Sequence, residues 1–465
     1  MRFPRPLYTI GTAFIALCTS QASAADGDLF PDWGLLGSGQ TIIQYDLGTE
    51  KSDNAVDSAA AADGSVYIAA TVTDAQNRNR IGVSKLTPQG VLDTTFSGDG
   101  KVLGGRLNVV ANAIALTSDG YLLVAGTSVD NADDPNMLVC RFAATNGLVV
   151  NFPAPTSSHC ITLTTFNGSS DLARDIVVQP DGKFIVAGVL DFGDNQRYAT
   201  FARFEANGQL DPSFGNFVNP RLSLIRNTSV YKSHELNAIA LASNGKIVGA
   251  GSTTFLDSND RRGLLVRLNS DGTGDSLSAS GELSFAIDNG ANLRTVASDL
   301  MTVGTGNPED NVYTVGFYDA EQGRRAGFIA KFLQGNMLNN DFGPNDMGYS
   351  VAISANSNVS FSRIERKPGG GFFTLGYRDD LGSDDFEVRS FNSDGRASLT
   401  FGDGNGYARV SFLLQGSKDI PAAMSFSNSG VIVTGSTQVS QTNFDIVAAK
   451  LQYDRIFVNG LQSVD

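Results

Sequence analysis

Short apolar runs separated by polar turns follow one another along the chain, with no helical period in any of them. Residues 111–126, ANAIALTSDGYLLVAG, show the unit. ANAIAL is short and rich in small apolar residues, as a strand buried on both faces would be. Asp119-Gly120 predicts a tight primed hairpin turn, because Gly accepts positive φ at little cost. YLLVAG then reads as the return strand, and Gly126 ends it.

This hairpin recurs. Its terminal small pairs are Ala69-Ala70, Ala125-Gly126, Ala187-Gly188, Ala250-Gly251, Val315-Gly316, Leu375-Gly376 and Thr434-Gly435, at intervals of 56 to 65 residues. A second motif alternates with it, clearest as LDTTFS (92–97) and LDPSFG (210–215). Its aromatic anchors are Trp33, Phe96, Phe152, Phe214, Phe285, Phe342, Phe401 and Phe457, with a mean spacing near 61 residues. Each interval holds a third apolar run, such as MLVCRF (137–142) or GLLVRL (263–268), and a fourth follows the aromatic, as in GKVLGG (100–105).

Four strands per repeat at a fixed long period predict small sheets stacked around an axis. The expected fold is all-β, a seven-bladed β-propeller of four-stranded antiparallel blades. The first segment, 29–47, carries only the aromatic motif and one strand, and the last ends one strand short. The strand at 41–47 is therefore expected to pair beside 444–451 as the outer strand of the last blade, which removes the open edges of a linear array. An open solenoid is the alternative arrangement.

The alternation of hairpin segments such as VQPDGKFIVAG (178–188) with RFEANGQLDPSFG (203–215) resembles the delta-60 repeat family of bacterial secreted β-propellers. The likeness spans about Leu29 to Phe457, sharp in the second to fourth repeats and degraded in the fifth to seventh. It implies a propeller and export. It carries no settled activity, so no catalytic residue transfers.

The N-terminus agrees with export. MRFPRP is followed by the apolar run LYTIGTAFIAL and by the small-residue site Ala22-Ser23-Ala24. This is the pattern of a signal peptide, residues 1–24, cleaved between Ala24 and Ala25. The run is too short for a stable membrane span. The mature domain, 25–465, is expected in the periplasm or outside the cell. The whole chain carries 34 basic and 48 acidic residues, net −14, and loss of Arg2 and Arg5 makes the mature protein −16. Such a charge argues against nucleic acid and anionic membrane partners. A monomer is expected.

Two cysteines remain after cleavage, Cys140 and Cys160. They fall on the third and fourth strands of one repeat, where neighbouring strands can bring them within disulfide reach. Two buried free thiols are the alternative.

Catalytic motifs are missing from the sequence. Only His159 and His234 are available, and there is no His-Glu-x-x-His, Cys-x-x-Cys or Gly-x-Ser-x-Gly. The remaining constellation is acidic. Loops between second and third strands hold Asp130, Asp133 and Asp134; Asp191 and Asp194; Asp257 and Asp260; Asp379 and Asp380. Equivalent repeats would put these loops on one face, as a crown attractive to Ca²⁺ or basic partners. Ordinary solvated turns are the plainer reading. No cofactor is required, and Ca²⁺ is the one the loops would suit. The expected function is a non-catalytic binding or scaffold propeller that recognises a protein, glycan or envelope partner through loops on one rim. The alternative is a hydrolase or lyase, which needs converging carboxylates near the central channel.

Overall fold

The computed structural model describes residues 26–453 except 46, 49–51, 130–134, 164–168, 194–195, 216–220, 226–229, 259, 276–280, 288–293, 305–309, 321–322, 334–336, 381–382, 413–417 and 428–429. The predicted signal peptide, its cleavage site at Ala24 and Ala25, and Phe457 lie outside the described residues.

The chain is all-β, and its sheets are antiparallel meanders. In the first, Asp53–Ala60, Val66–Thr73, Asn79–Leu86 and Lys101–Leu103 pair in sequence order. The pattern repeats along the chain. One eight-stranded sheet consists of two such meanders joined by a single parallel pair, Arg197 with Ser233. The last meander, Asp419–Ser427, Gly430–Gln438 and Phe444–Gln452, takes its fourth strand from the other end of the chain. Gln40–Ile43 pairs antiparallel with it, Gln40 opposite Ala449 and Ile43 opposite Ile446.

The first strands of the meanders are Asp53–Ala60, Val109–Leu116, Ser170–Val178, Tyr231–Leu241, Thr295–Val303, Asn358–Arg366 and Asp419–Ser427. Each packs against the next, and Asp419–Ser427 packs against Asp53–Ala60. Every one of them carries a β-bulge at the same place. The register slips by one residue at Val56, Asn112, Arg174, Asn237, Ser298, Ser362 and Ala422. A bulge leaves one residue unpaired and turns the strand locally.

The bulge explains the small pair that ends each hairpin. Gly188 lies opposite Ala173, just before the extra residue. A Cβ added to Gly188 would come within 1.9 Å of the Leu172 carbonyl oxygen, and one on Gly376 within 1.8 Å of that of Ser360. The first meander places Ala70 there, opposite Ala55, so the clearance is set sheet by sheet. The Asp-Gly turn differs from the primed turn expected. Gly120 N–H donates to the Thr117 carbonyl (3.1 Å) and Thr117 N–H to that of Tyr121 (2.8 Å). Gly120 alone has positive φ, at 86°. This is an ordinary four-residue turn closed by one left-handed residue, the three-residue hairpin loop with a G1 bulge.

The aromatic anchors lock one meander to the next. Trp33, Phe96, Phe152, Phe214, Phe285, Phe342 and Phe401 are all buried. The turn glycines that face Trp33, Phe96, Phe152, Phe214 and Phe342 are Gly90, Gly147, Gly208, Gly272 and Gly395, each in the following meander and too close for any side chain. The residue after the aromatic adds a backbone bond to the same turn, as in Gly34 N–H to the Gln89 carbonyl (2.7 Å) and Gly343 N–H to that of Asp394 (2.7 Å). The core is accordingly divided into layers between consecutive meanders. One cluster joins Trp33, Ile43 and Ile446 to Ile68 and Val72. Full burial of one such aromatic contributes roughly 1.5–3 kcal/mol.

Ion pairs repeat as well. Asp211 of the LDPSF motif accepts from Lys183 (2.7 Å) and Arg203 (2.8 Å) with its side chain 1% exposed. Burial alone would raise its pKa, but Lys183, Ser213 and Arg203 hold it well below the usual carboxylate range. Asp275 repeats the set with Lys246 (3.2 Å) and Arg267.

Replacing Gly188 with Ala is expected to destabilise the protein by about 1–3 kcal/mol, since the bulge or the second strand must move. Gly182→Ala, at a turn where the nearest atom to the new Cβ is 3.7 Å away, should cost only the strain of positive φ, about 1 kcal/mol. Urea unfolding of both variants checks the order, and an unperturbed Gly188→Ala protein would remove the steric explanation of the repeat.

Candidate functional site

The residue after each bulge lines a common cavity. In chain order these residues are Asp57, Ala113, Asp175, Ala238, Asp299, Arg363 and Ala423. All seven line one cavity of about 270 Å³, together with Glu365. Three acids, one arginine and three alanines thus meet at one level.

Backbone amides hold the acids. Asp57 Oδ2 accepts from Ile114 N–H at 2.9 Å, Asp175 Oδ2 from Ile239 N–H at 2.8 Å and Asp299 Oδ2 from Ile364 N–H at 2.9 Å. Each bond crosses to the next first strand. Asp175 Oδ1 also accepts from Ile176 N–H (2.7 Å) and Asp299 Oδ1 from Leu300 N–H (2.8 Å). Arg363 reaches toward the first meander. It donates to the Val56 carbonyl (3.3 Å) and lies 3.7 Å from Asp57 Oδ1. The Asp57 and Arg363 side chains are 17% and 28% exposed, to the interior of the cavity.

Withdrawal from bulk water sets the electrostatics. Burial, then the nearby Asp57, pushes Asp175 up to about 7. Burial raises Asp299 to about 6, moderated by Arg363. Burial raises Glu365 to about 8, with Asp299 and Asp57 adding to it. Asp57 is raised by burial and restrained by Arg363. Burial alone would lower the Arg363 pKa, but Asp57, Asp299 and Asp175 raise it.

A second, wider cavity of about 550 Å³ adjoins the first, sharing Arg174, Asn237 and Arg363 with it. Its walls come from the first strands before and at their bulges: Ala55 and Val56, Asn112, Ser298, Pro421 and Ala422. Arg261, Arg294 and Phe317 extend it toward the end at which second strands finish and third strands begin. Arg261 donates to Glu235 (2.8 Å) and Ser252 (2.9 Å). The Arg294 guanidinium stacks on Phe317 at 5.3 Å.

The acidic loop residues that are described have local surroundings. Asp191 accepts from Arg197 (2.7 Å) and from Gly193 N–H (2.9 Å) in its own hairpin. Asp257 is exposed in a turn. Asp260 N–H donates to Ser258 (3.2 Å), and Asp379 accepts from Asn358 (3.2 Å). Asp130, Asp133, Asp134, Asp194 and the side chain of Asp380 lie outside the described residues. Among the described residues no group of three or more His, Cys, Asp or Glu side chains could hold a metal ion. Cys140 and Cys160 stand opposite each other across two paired strands and are joined by a disulfide.

His234 sits in a sealed network. Its Nδ1 lies 2.7 Å from Thr253 Oγ1 and its Nε2 2.8 Å from Glu282 Oε2. The order hydroxyl, imidazole, carboxylate is that of a nucleophile with its base. Thr253 and His234 are both fully buried, however, so no substrate reaches the hydroxyl, and the network is structural.

The cavity acids and Arg363 are inconspicuous in the sequence because each is a lone charge within a strand segment. Aligning the segments would have exposed them. Asp57 in AVDSAA, Asp175 in ARDIVV, Asp299 in ASDLMTV and Arg363 in FSRIER all replace Ala113 of ANAIAL.

Segments 61–96, 179–214 and 242–277 match the model of a β-propeller domain of unknown function, DUF5122. Together they make up less than half of the chain. No curated protein matches it. Among solved structures, a protein of unknown function from Dyadobacter fermentans is similar at 11% identity, over 89% of this chain and 98% of that one, with a TM-score of 0.44. The Drosophila Semaphorin 1a extracellular domains 1–2 are similar at 11% identity over 88% of both chains, TM-score 0.42. Trypanosoma rangeli sialidase in complex with the inhibitor DANA is similar at 10% identity, over 86% of this chain and 55% of that one, TM-score 0.34. Among the described residues no helix is long and apolar enough to cross a membrane.

The raised carboxyls predict a pH effect with a definite sign. A carboxyl that holds its proton more tightly when folded contributes stability that is complete below its unfolded pKa and is lost as pH rises through the folded one. For Asp175 the window runs from the model value 3.8 to about 7. Asp175→Asn keeps an acceptor and removes the charge. Beside a pH-independent cost for the second acceptor it loses, it should gain on the wild type as pH rises through this window, by on the order of 1–4 kcal/mol before screening by cavity water. Melting curves across pH check this, and equal differences at both ends would show that Asp175 titrates normally.

Proposed function

We propose that the meanders form a seven-bladed propeller, closed by the pairing of Gln40–Ile43 with the last blade, and that the protein is an exported binding propeller whose ligand enters the wider mouth of the central channel. The N-terminal sequence pattern supports export. The neighbour-to-neighbour packing of the first strands and a cavity lined by all of them support the ring. One observation carries the binding site. The wider cavity is where side chains from every first strand converge in a space large enough for a small ligand or a projecting group of a larger one. This moves the expected recognition surface from the rim loops to the channel mouth.

A second reading is favoured by Asp175 and Asp299. Carboxyls held partly protonated near neutral pH are what acid–base catalysis requires. Against it, both acids already accept backbone amides that tie neighbouring strands together, which suits a structural and electrostatic role.

Asn112 lines the mouth and makes only a 3.4 Å bond to Thr127. The mature protein is expected to be retained on one class of immobilised envelope glycan in a panel, and Asn112→Trp, which fills the mouth, should abolish retention without lowering the melting temperature. Retention that survives Asn112→Trp would return the site to the outer loops. Release of shortened glycan would establish the enzymatic reading.

A further inference from the structure

The wider cavity inverts the charge of the molecule around it. The chain carries net −14, yet Arg174, Arg261, Arg294 and Arg363 line this one space against Glu235 alone. The four cations are unequally used. Arg363 is drawn downward by Asp57, and Arg261 is drawn sideways by Glu235 and Ser252. Arg174 occupies a bulge position, is exposed, and has no carboxylate partner among the described residues. Arg294 has a buried Nε without a hydrogen-bond partner. Burial and then the cations Arg261 and Arg325 lower its pKa, against the opposing pull of Asp319 and Glu235.

Cations crowded into a partly desolvated concavity repel one another, and an anion placed among them removes that repulsion while filling empty donor positions. Guanidinium groups match this task because their forked donors fit planar carboxylates and sulfate oxygens. Asn112, Asn237 and Ser298 offer the amide and hydroxyl groups that bond sugar hydroxyls, and apolar residues such as Val296 and Phe317 offer surface for the faces of a sugar ring.

We propose that the wider cavity is a site for an acidic sugar, whose carboxylate or sulfate group is held by Arg174 and Arg294 while Asn112 and Asn237 bond its hydroxyls. This rests on the assignment of ligand entry to the channel mouth and adds the chemistry of the ligand.

Calorimetric titration of the mature protein at low ionic strength tests it with four probes: trigalacturonate, a sulfated disaccharide, neutral galactotriose and tetraglutamate. The expected result is binding of trigalacturonate or the sulfated disaccharide, which also separates the two anion sources, with no heat from galactotriose. Affinity should fall as salt rises. Arg174→Ala and Arg294→Ala should each weaken it by about tenfold or more, and Arg174→Lys should restore only part of the loss. Arg174 is exposed, so its variants test the site even if Arg294→Ala fails to fold. Equal binding of galactotriose, blocked by Asn112→Trp, would overturn the anion assignment while leaving the mouth as the ligand site. Binding of tetraglutamate alone would overturn the sugar. Binding of no probe, with glycan retention indifferent to Asn112→Trp, would overturn both.

Discussion

One extra residue in each first strand governs much of the rest of the molecule. A bulge pushes a carbonyl toward the second strand, and the facing residue must then give way. In six meanders that residue is Gly, and in the first it is Ala70. The same distortion aims the next side chain across to the neighbouring first strand, where an amide waits. Asp57, Asp175 and Asp299 take those amides. A packing constraint that repeats along the sequence therefore also aims the side chains that line the cavity, while their identity varies among acid, arginine and alanine.

The acids on the outside and inside of the fold do opposite things. Asp211 is nearly inaccessible but lies between Lys183 and Arg203, which favour its charge. Removing one partner from such a set leaves the others buried and uncompensated. Asp175 and Asp299 share one arginine with Asp57, which is too little cation for three carboxylates, and their charge is disfavoured. The wide mouth shows the reverse imbalance, with more guanidinium than carboxylate. A protein whose surface is generally acidic thus concentrates unspent positive charge at one accessible point.

The strands and their order were legible because they depend on local features: apolar runs, Asp-Gly turns, and aromatics at a regular spacing. The role of the aromatics was not, since Trp33 meets Gly90 and Phe214 meets Gly272 only after separate meanders pack. The turn type was misread for a related reason. Asp-Gly fits both the primed turn and the turn found, and the closing bond of Thr117 to Tyr121 decides between them. The acidic loops drew notice because charge clusters there in sequence, whereas Asp57, Asp175, Asp299 and Glu365 are each isolated in the chain and converge only in space. Phe285 packs on Phe332 (4.9 Å) and Phe328 (6.1 Å) of the following meander and also lies against Gly263 of its own.

The pairing of Gln40–Ile43 with Phe444–Gln452 has a consequence for how the chain reaches its final state. The partners Gln40 and Ala449 are far apart in the sequence, so their union closes a very long loop, at an entropic cost that grows only slowly with length. Until the last meander forms, this strand is unpartnered, while every intermediate meander can form from its own neighbours. The last meander alone needs both of these distant segments. A chain that lacks either strand therefore keeps an open strand edge that marks it as unfinished.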